Sequence, residues 1–235
     1  MTTRVAILRF PGTWSERDFA HAFSLVPGGE TEILWHADAK LKGFDAAILP
    51  GGFSYGDYLR AGAIAKISHA ATELRSAAAE GMPILGSCNG FQILCEIGLL
   101  PGALVRNDHL EFRCDWVRMR VEAESAWTRG LKGDFLRMPI AHGEGCWVAD
   151  ERTADEVEQR GQVVFRYVDE SGIATSAANP NGALRNIAGL TNAARNVVGL
   201  MPHPERSSER LVGGEDGRGV LQAILETGQV ASTSA

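Results

Sequence analysis

Two groups of residues in this sequence have the types and spacing needed for covalent catalysis, and the first is centred on a cysteine. Cys88 lies between Gly86 and Gly90, where a short apolar run ends and a helix-like run begins. This layout is typical of a nucleophile elbow, a tight turn that projects its side chain from the carboxyl edge of a parallel sheet. The first N–H groups of the following helix would favour a thiolate over a thiol. A buried cysteine in a glycine-tight turn is the alternative interpretation.

The second group is a histidine with a glutamate two residues further on. His203 follows the apolar run Val197–Leu200 and lies between two prolines. In an extended segment, residues two apart point the same way, so we expect the Glu205 carboxylate to contact the imidazole. Such a carboxylate holds the histidine tautomer and stabilises the imidazolium, as the third member of a catalytic triad does. His203 is therefore the candidate base for Cys88.

A glycine-rich loop could complete the site. Residues 49–57, LPGGFSYGD, directly follow a strand-like run. The N–H of Gly52 or of Phe53, together with the N–H of Asn89, could form an oxyanion hole. A tight turn between a strand and a helix is the alternative. Cysteine, histidine and glutamate beside an oxyanion hole predict acyl transfer through a thioester, as in a cysteine amidase or hydrolase of an α/β fold.

These residues need a sheet to bring them together, and the front half of the sequence predicts one. Strand and helix signals alternate there, which indicates a parallel sheet with helices on both faces. The predicted strands are residues 5–10, 31–35, 45–49 and 84–85, and the predicted helices are residues 15–25, 64–79 and 89–97, with Ser15 as the first helix cap.

The back half of the sequence reads differently. Its predicted strands are residues 112–121, 162–167 and 197–200, and its predicted helices are residues 151–159 and 219–225, followed by a Ser/Thr/Ala tail that we expect to fray. We therefore expect one α/β domain over residues 1–235. It should be an open, mostly parallel sheet with antiparallel additions in the second half.

Composition narrows the functional class. A net charge of −6, without a Lys/Arg run, disfavours nucleic-acid binding. The chain has no apolar segment of about 18 residues or more, so we expect no membrane span. The first residues lack the layout of a signal peptide, and the four cysteines form no CxxC pair, so we expect reduced thiols and a cytoplasmic location. Cys95 and Cys114 are expected to pack in the core.

Longer segments resemble a known family. Residues 86–92, GSCNGFQ, and residues 201–205, MPHPE, resemble class I (triad) glutamine amidotransferases, whose fold is flavodoxin-like. The chain is further similar to the glutaminase subunits of phosphoribosylformylglycinamidine synthases, which serve the fourth step of purine biosynthesis. Three segments carry that likeness: PGGFSYGDYLR at 50–60, LVRN at 104–107 and IAHGEG at 140–145.

The resemblance implies a role for each candidate residue. Cys88 would attack the side-chain amide of glutamine, and His203, oriented by Glu205, would act as base and then as acid. Gly52 and Asn89 would supply the oxyanion N–H groups. The remaining implied site residues are Gln92 and Asn107, which would hold glutamine, and His142, which would lie near the site or a partner interface unless it is a plain turn histidine.

The resemblance also implies partners. Ammonia would pass to a larger synthetase subunit that uses ATP and Mg²⁺, a small third subunit would join the complex, and this chain would bind no cofactor of its own. Many relatives carry Asn-Cys after Phe-Pro-Gly, whereas this chain has Thr13-Trp14, which leaves the role of that loop open. The alternatives are a class I amidotransferase serving GMP, CTP or anthranilate synthesis, a cysteine hydrolase of the deglycase type, and a regulatory module that binds glutamine without turnover.

Overall fold

The computed structural model describes residues 2–231, and the side chains of residues 2–225. Within this span the strands, in chain order, are β1 Thr3–Arg9, β2 Gly29–Trp35, β3 Ala46–Leu49, β4 Ile84–Ser87, β5 Ala103–Val105, β6 Arg113–Val121, β7 Phe135–His142, β8 Cys146–Val148, β9 Val163–Tyr167, β10 Ile187–Thr191 and β11 Val197–Leu200. The α-helices are α1 Glu16–Ser24, α2 His69–Ala79, α3 Asn89–Glu96, α4 Glu151–Gln159 and α5 Gly217–Ala231.

One open sheet contains nine of these strands, in the order β2-β1-β3-β4-β11-β10-β9-β6-β7. The five strands from β2 to β11 are parallel to one another, and every later pair is antiparallel. A separate antiparallel pair is formed by β5 and β8. The predicted α/β class, with a parallel sheet extended by antiparallel strands from the second half of the chain, is confirmed.

The central strands are apolar because they are covered on both faces. Every residue of β3, β4 and β11 is buried. Strands with this pattern occur in parallel sheets that helices cover on both sides. Helix α3 packs against all three of these strands, while α1 packs against β1, β2 and α5. The apolar runs of the sequence thus become the middle of the sheet, and the loops that follow them lie at its carboxyl edge.

Two helix predictions need correction. The predicted helix over residues 64–79 is divided into a 3-10 turn, Ile64–Ile67, and α2. Ser68 separates them in an extended conformation and caps α2, since its hydroxyl accepts a hydrogen bond from the Ala71 N–H at 3.2 Å. Ser15 precedes α1 as predicted, but its hydroxyl donates to the Gly51 carbonyl at 3.3 Å and does not cap the helix.

Four strands were not predicted from the sequence: β5, β7, β8 and β10. The longest of them, β7, contains Pro139, which argues against a strand in the middle of a sheet. It occurs here because β7 is the edge strand and pairs with β6 alone.

The predictions for the remaining cysteines and the tail have mixed outcomes. Cys95 packs, partly buried, against the core as expected. The expectation for Cys114 is wrong, because Cys114 lies in the exposed first half of β6. The expectation that the chain frays after residue 225 is wrong up to Ala231, because α5 extends to that residue. The rest of the expected tail, residues 232–235, lies outside the described residues. Among the helices of the described span, none is both long and apolar enough to cross a membrane.

Candidate active site

The cysteine elbow forms at the junction of β4 and α3. Cys88 has φ 52° and ψ −109°, a conformation that costs a non-glycine residue free energy and that tends to occur at functional sites. The flanking glycines are required by close packing. A Cβ at Gly86 would lie 2.6 Å from the Gly90 carbonyl group, and a Cβ at Gly90 would collide with the Leu49 carbonyl oxygen. The sequence therefore forces Cys88 into a strained turn at the carboxyl edge of the sheet.

The histidine reaches the same edge because β11 is the neighbour of β4. The two strands pair in parallel register, with Leu200 opposite Ser87 at their carboxyl ends. The Cys88 N–H extends this pairing and donates to the Leu200 carbonyl at 2.8 Å. His203 lies three residues beyond the end of β11 and is buried.

Strand β7, which sequence analysis missed, contacts both the cysteine elbow and the histidine turn. The Pro139 carbonyl accepts a hydrogen bond from the His203 N–H at 2.9 Å. Two residues further on, the Ala141 carbonyl lies 3.8 Å from the Cys88 Sγ. The end of β7 therefore fixes the histidine backbone and lies against the thiol at the same time.

His203 and Glu205 form the predicted contact. The imidazole Nδ1 lies 2.6 Å from the carboxylate Oε1, and both side chains are buried. The local geometry differs from the predicted extended segment, because Glu205 lies in a 3-10 turn, Pro204–Ser207, that returns its side chain to the ring. Within the described residues, the other ring nitrogen, Nε2, has no hydrogen-bond partner.

The His203 ring and the Cys88 side chain both lie beside Gly51. A Cβ built on Gly51 would lie 2.6 Å from His203 Cε1 and 3.4 Å from Cys88 Cβ. Burial disfavours the charged form of His203, but the Glu205 carboxylate and the Cys88 side chain outweigh burial and raise the histidine pKa to about 10. His203 is thus an imidazolium at neutral pH, with Glu205 at one ring nitrogen and Cys88 beside it. The arrangement places a charged acid–base group beside the nucleophile, as covalent catalysis by a cysteine requires.

The glycine-rich loop offers one of its two predicted oxyanion donors. Phe53 donates its N–H to the Gly12 carbonyl at 2.8 Å, so the prediction that this N–H is available is wrong. Gly52 has φ 149°, and between residues 2 and 231 its N–H finds no acceptor. The Asn89 N–H is the first of α3 and has no acceptor within the helix. Gly52 and Asn89 therefore remain the candidate donors, and the Phe53 ring lines the cavity beside them.

A cavity of about 330 Å³ opens in front of Cys88. Three charged side chains that sequence analysis did not select line it: Asp57, Arg106 and Glu144. Burial, followed by the nearby Glu144 carboxylate, raises the pKa of Asp57 to about 6. Arg106 lies 4.0 Å from Glu144 and is largely exposed at the mouth. The motifs that carry the family resemblance contain all three residues, but their charges gave no signal of a shared cavity because they come from three separate loops.

The predicted glutamine-binding residues have different surroundings. Gln92 lines the cavity, although its amide is held by Asn89 and by the Glu144 carbonyl. Asn107 is fully buried, does not line the cavity, and uses its amide within the surrounding loops, so the expectation that it contacts glutamine is not supported. His142 is buried at the cavity wall. In the part of the chain that the structure describes, no cluster of His, Cys, Asp and Glu could hold a metal ion.

Comparison with known proteins identifies the family. Residues 2–214 match the family described as a CobB/CobQ-like glutamine amidotransferase domain. The chain belongs to this family. Two relatives are each named phosphoribosylformylglycinamidine synthase subunit PurQ. The one from Methanosarcina acetivorans is 51% identical over 95% of this chain and 97% of its own length. The one from Thermomicrobium roseum is 52% identical over 96% of each chain.

Solved structures agree with the family assignment. A chain of the PurLQS structure from Thermotoga maritima aligns with a TM-score of 0.85 and 44% identity, covering 97% of this chain and 99% of that chain. A glutamine amidotransferase from the same organism shares the fold, with a TM-score of 0.62 at 17% identity. The predicted class I amidotransferase fold is confirmed.

The backbone strain at Cys88 is testable by mutation. A glycine at position 88 adopts the observed dihedral angles without strain, whereas alanine does not. We expect Cys88→Gly to have a free energy of unfolding about 1 to 3 kcal/mol higher than that of Cys88→Ala, measured by urea denaturation. Cys95, in the last turn of α3 with an ordinary helical backbone, is the matched control. There the order should reverse, with Cys95→Gly about 1 kcal/mol less stable than Cys95→Ala. A Cys88→Gly variant no more stable than Cys88→Ala would contradict the strain.

Proposed function

We infer that this chain is the glutaminase subunit of phosphoribosylformylglycinamidine synthase. It hydrolyses glutamine to glutamate and ammonia. The synthetase subunit uses the ammonia in the ATP-dependent conversion of formylglycinamide ribonucleotide to formylglycinamidine ribonucleotide, a step of de novo purine biosynthesis. The observation that carries this assignment is the identity of about half of all residues with relatives of that name, over nearly the full length of both chains. The cysteine site at the carboxyl edge of the sheet supports it independently.

The proposed reaction uses the residues around Cys88. Its thiolate attacks the side-chain amide carbon of glutamine, and the N–H groups of Gly52 and Asn89 stabilise the oxyanion that forms. The His203 imidazolium donates its proton to the leaving nitrogen, so that ammonia departs and a glutamyl thioester remains. Neutral His203 then accepts a proton from water, which attacks the thioester and releases glutamate. The thiolate and the imidazolium are thereby restored.

Glu205 and the cavity complete the proposal. The Glu205 carboxylate keeps the His203 ring in place and stabilises its charge. Free glutamine carries a carboxylate and an ammonium at its α-carbon, so its site needs groups of both signs. We propose that Arg106 binds the α-carboxylate and that Asp57 and Glu144 bind the α-ammonium, because these are the charged side chains that line the cavity.

The partners are also part of the proposal. A PurLQS complex from Thermotoga maritima contains a chain similar to this one, which supports assembly with a synthetase subunit. We propose in addition a small third subunit, and ATP and Mg²⁺ bound by the synthetase alone, since acyl transfer through a thiolate requires neither. We further propose that residues 1–235 act as one domain in the cytoplasm. The single nine-stranded sheet, which takes strands from both halves of the chain, supports the first of these two points.

The assignment predicts that loss of the Cys88 thiol affects glutamine-dependent synthesis but not ammonia-dependent synthesis. In the assembled complex, Cys88→Ala should reduce glutamine-dependent synthesis at least about 10³-fold, because the thioester cannot form. Ammonia-dependent synthesis should remain within about twofold, since it bypasses the glutaminase site. Cys114→Ala, at an exposed cysteine in β6, is the control and should preserve both rates. Equal loss of both activities in Cys88→Ala would instead indicate a role for Cys88 in folding or assembly.

The proposed carboxylate contact predicts a dependence on substrate structure. Arg106→Gln should raise the KM for glutamine about tenfold but leave the KM for 4-aminobutanamide, which lacks the α-carboxylate, within about twofold. Arg152→Gln, at an exposed arginine of α4, is the matched control and should change neither. Steady-state glutaminase assays of the complex measure both constants. An equal rise in KM for the two compounds would show that Arg106 shapes the cavity without binding the carboxylate.

The raised pKa of Asp57 predicts a pH dependence. Above about pH 6 the carboxyl is ionised and can bind the substrate ammonium, whereas below it the carboxyl is protonated and that attraction is lost. The KM for glutamine should therefore rise as the pH falls through about 6. In Asp57→Asn the KM should be high at every pH and this rise should be absent. A rise of equal size in the variant would assign the titration to another group.

A further inference from the structure

His142 ends β7 beneath the wall of the cavity. Its side chain is buried, and its ring lies against the backbone of Gly145, where a Cβ would collide with the ring. Gly143 and Glu144, which lie between His142 and Gly145, line the cavity together with Ala141 and His142 itself. The proposed reaction assigns no proton transfer to this buried imidazole, yet both of its ring nitrogens are engaged.

Asn107 fixes the role of the first ring nitrogen. Its amide nitrogen donates to two carbonyls, those of Glu111 and His142, each at 2.9 Å. Its amide oxygen must therefore be the atom that accepts from the Gly145 N–H at 2.9 Å and faces the His142 Nδ1 at 3.2 Å. Because an amide oxygen only accepts, Nδ1 carries a proton and donates.

Asn181 fixes the role of the second nitrogen. Its amide oxygen accepts from the Ala183 N–H at 3.0 Å, and its amide nitrogen donates to the Gly145 carbonyl at 2.8 Å. The amide nitrogen therefore also faces the His142 Nε2, at 3.4 Å. Since an amide nitrogen only donates, Nε2 must accept. The two asparagines together select the neutral imidazole with its proton on Nδ1.

We propose that His142 is a positioning residue for the glutaminase site: as this neutral tautomer it joins the two ends of the segment 141–145 and so holds the cavity wall against Cys88. The inference rests on the proposed function. Asn107 holds the same segment, since its backbone N–H also donates to the Gly143 carbonyl at 2.9 Å. Neither side chain needs to touch glutamine in order to act.

The segment 141–145 contacts several groups of the proposed glutamine site. The Ala141 carbonyl contacts the Cys88 Sγ, and the Glu144 side chain supplies part of the charge proposed for the ammonium. The Glu144 carbonyl also accepts from the Gln92 amide at 2.6 Å, which joins the wall to α3. A displacement of this wall would therefore move the glutamine-binding groups more than it would move the thiol, which β4 and α3 hold on the other side.

The electrostatic surroundings agree with a neutral ring. Burial, followed by the positive charge of His203, lowers the pKa of His142 to about 4, and the nearby His109 acts in the same direction. The Tyr167 hydroxyl lies behind Asn181, 3.5 Å from its amide nitrogen, and presents no charge at neutral pH. His142 therefore remains neutral where the hydrogen-bond pattern requires it to be.

Three substitutions at His142 distinguish the contributions of its two ring hydrogen bonds. His142→Asn places an amide nitrogen near the position of Nδ1, where it can donate to Asn107. His142→Gln extends its amide toward the position of Nε2 and loses the bond to Asn107. His142→Phe keeps the ring and loses both bonds. In the assembled complex we expect the KM for glutamine to rise in the order Asn, Gln, Phe, from within about threefold of the unmodified chain to at least about tenfold above it.

Two further measurements distinguish positioning from general damage. Ammonia-dependent synthesis and the alkylation of Cys88 by iodoacetamide should stay within about twofold for all three variants, because β4 and α3 hold the thiol and neither reaction binds glutamine. His69→Phe, at an exposed histidine that begins α2, is the control and should leave the KM unchanged. If His142→Phe does not fold, the order of the Asn and Gln variants still decides the matter.

The outcomes separate this inference from the proposed function. An equal KM for glutamine in the Asn and Gln variants, or a lower KM in the Gln variant, would overturn the positioning role. Parallel losses of alkylation rate and glutamine affinity would overturn it as well, since they would indicate a merely structural histidine. If the unmodified complex used ammonia but not glutamine, the proposed glutaminase function would fail instead.

Discussion

The parallel pairing of β4 with β11 is the constraint on which the site depends. Their register sets Leu200 opposite Ser87, so the two chains leave the sheet side by side. The hydrogen bond from the Cys88 N–H to the Leu200 carbonyl then ties the elbow to the strand that leads to the histidine. A shift of one residue in this register would move His203 away from the thiol, because the pairing fixes both segments along the strand direction. The covalent chemistry proposed here follows from that alignment.

The antiparallel half of the sheet adds the second support. Strand β7 meets the histidine turn through the Pro139 carbonyl and meets the thiol through the Ala141 carbonyl. The site is thus held between two halves of one sheet that are built differently. It also contains features that cost stability, namely the strained backbone at Cys88 and, among the described residues, a Glu205 Oε2 and a His203 Nε2 that are buried without hydrogen-bond partners. Such costs are typical of sites organised for reaction.

The sequence predicts the parts of the site that local patterns encode. A few neighbouring residues are enough to identify the glycine-flanked cysteine after an apolar run and the histidine that a glutamate follows. Other parts depend on partners that are distant in the chain. The Phe53 N–H is bound by Gly12, and the Asn107 amide is bound by the loop that it braces, so neither availability could be judged from the sequence. Strand β7 was missed because Pro139 is acceptable only at a sheet edge, which no local pattern reveals.

The central claim is that Cys88 forms a covalent bond to the glutamine side chain, and a quenched-reaction experiment tests it most directly. The assembled complex would be mixed with glutamine, ATP and formylglycinamide ribonucleotide, and the reaction would be stopped with acid within one turnover. The protein would then be digested and its peptides analysed by mass spectrometry. The account predicts a glutamyl thioester on the peptide that contains Cys88, absent when ammonia replaces glutamine. A complex that turns over glutamine while this peptide stays unmodified, or that carries the glutamyl group on another residue, would contradict it.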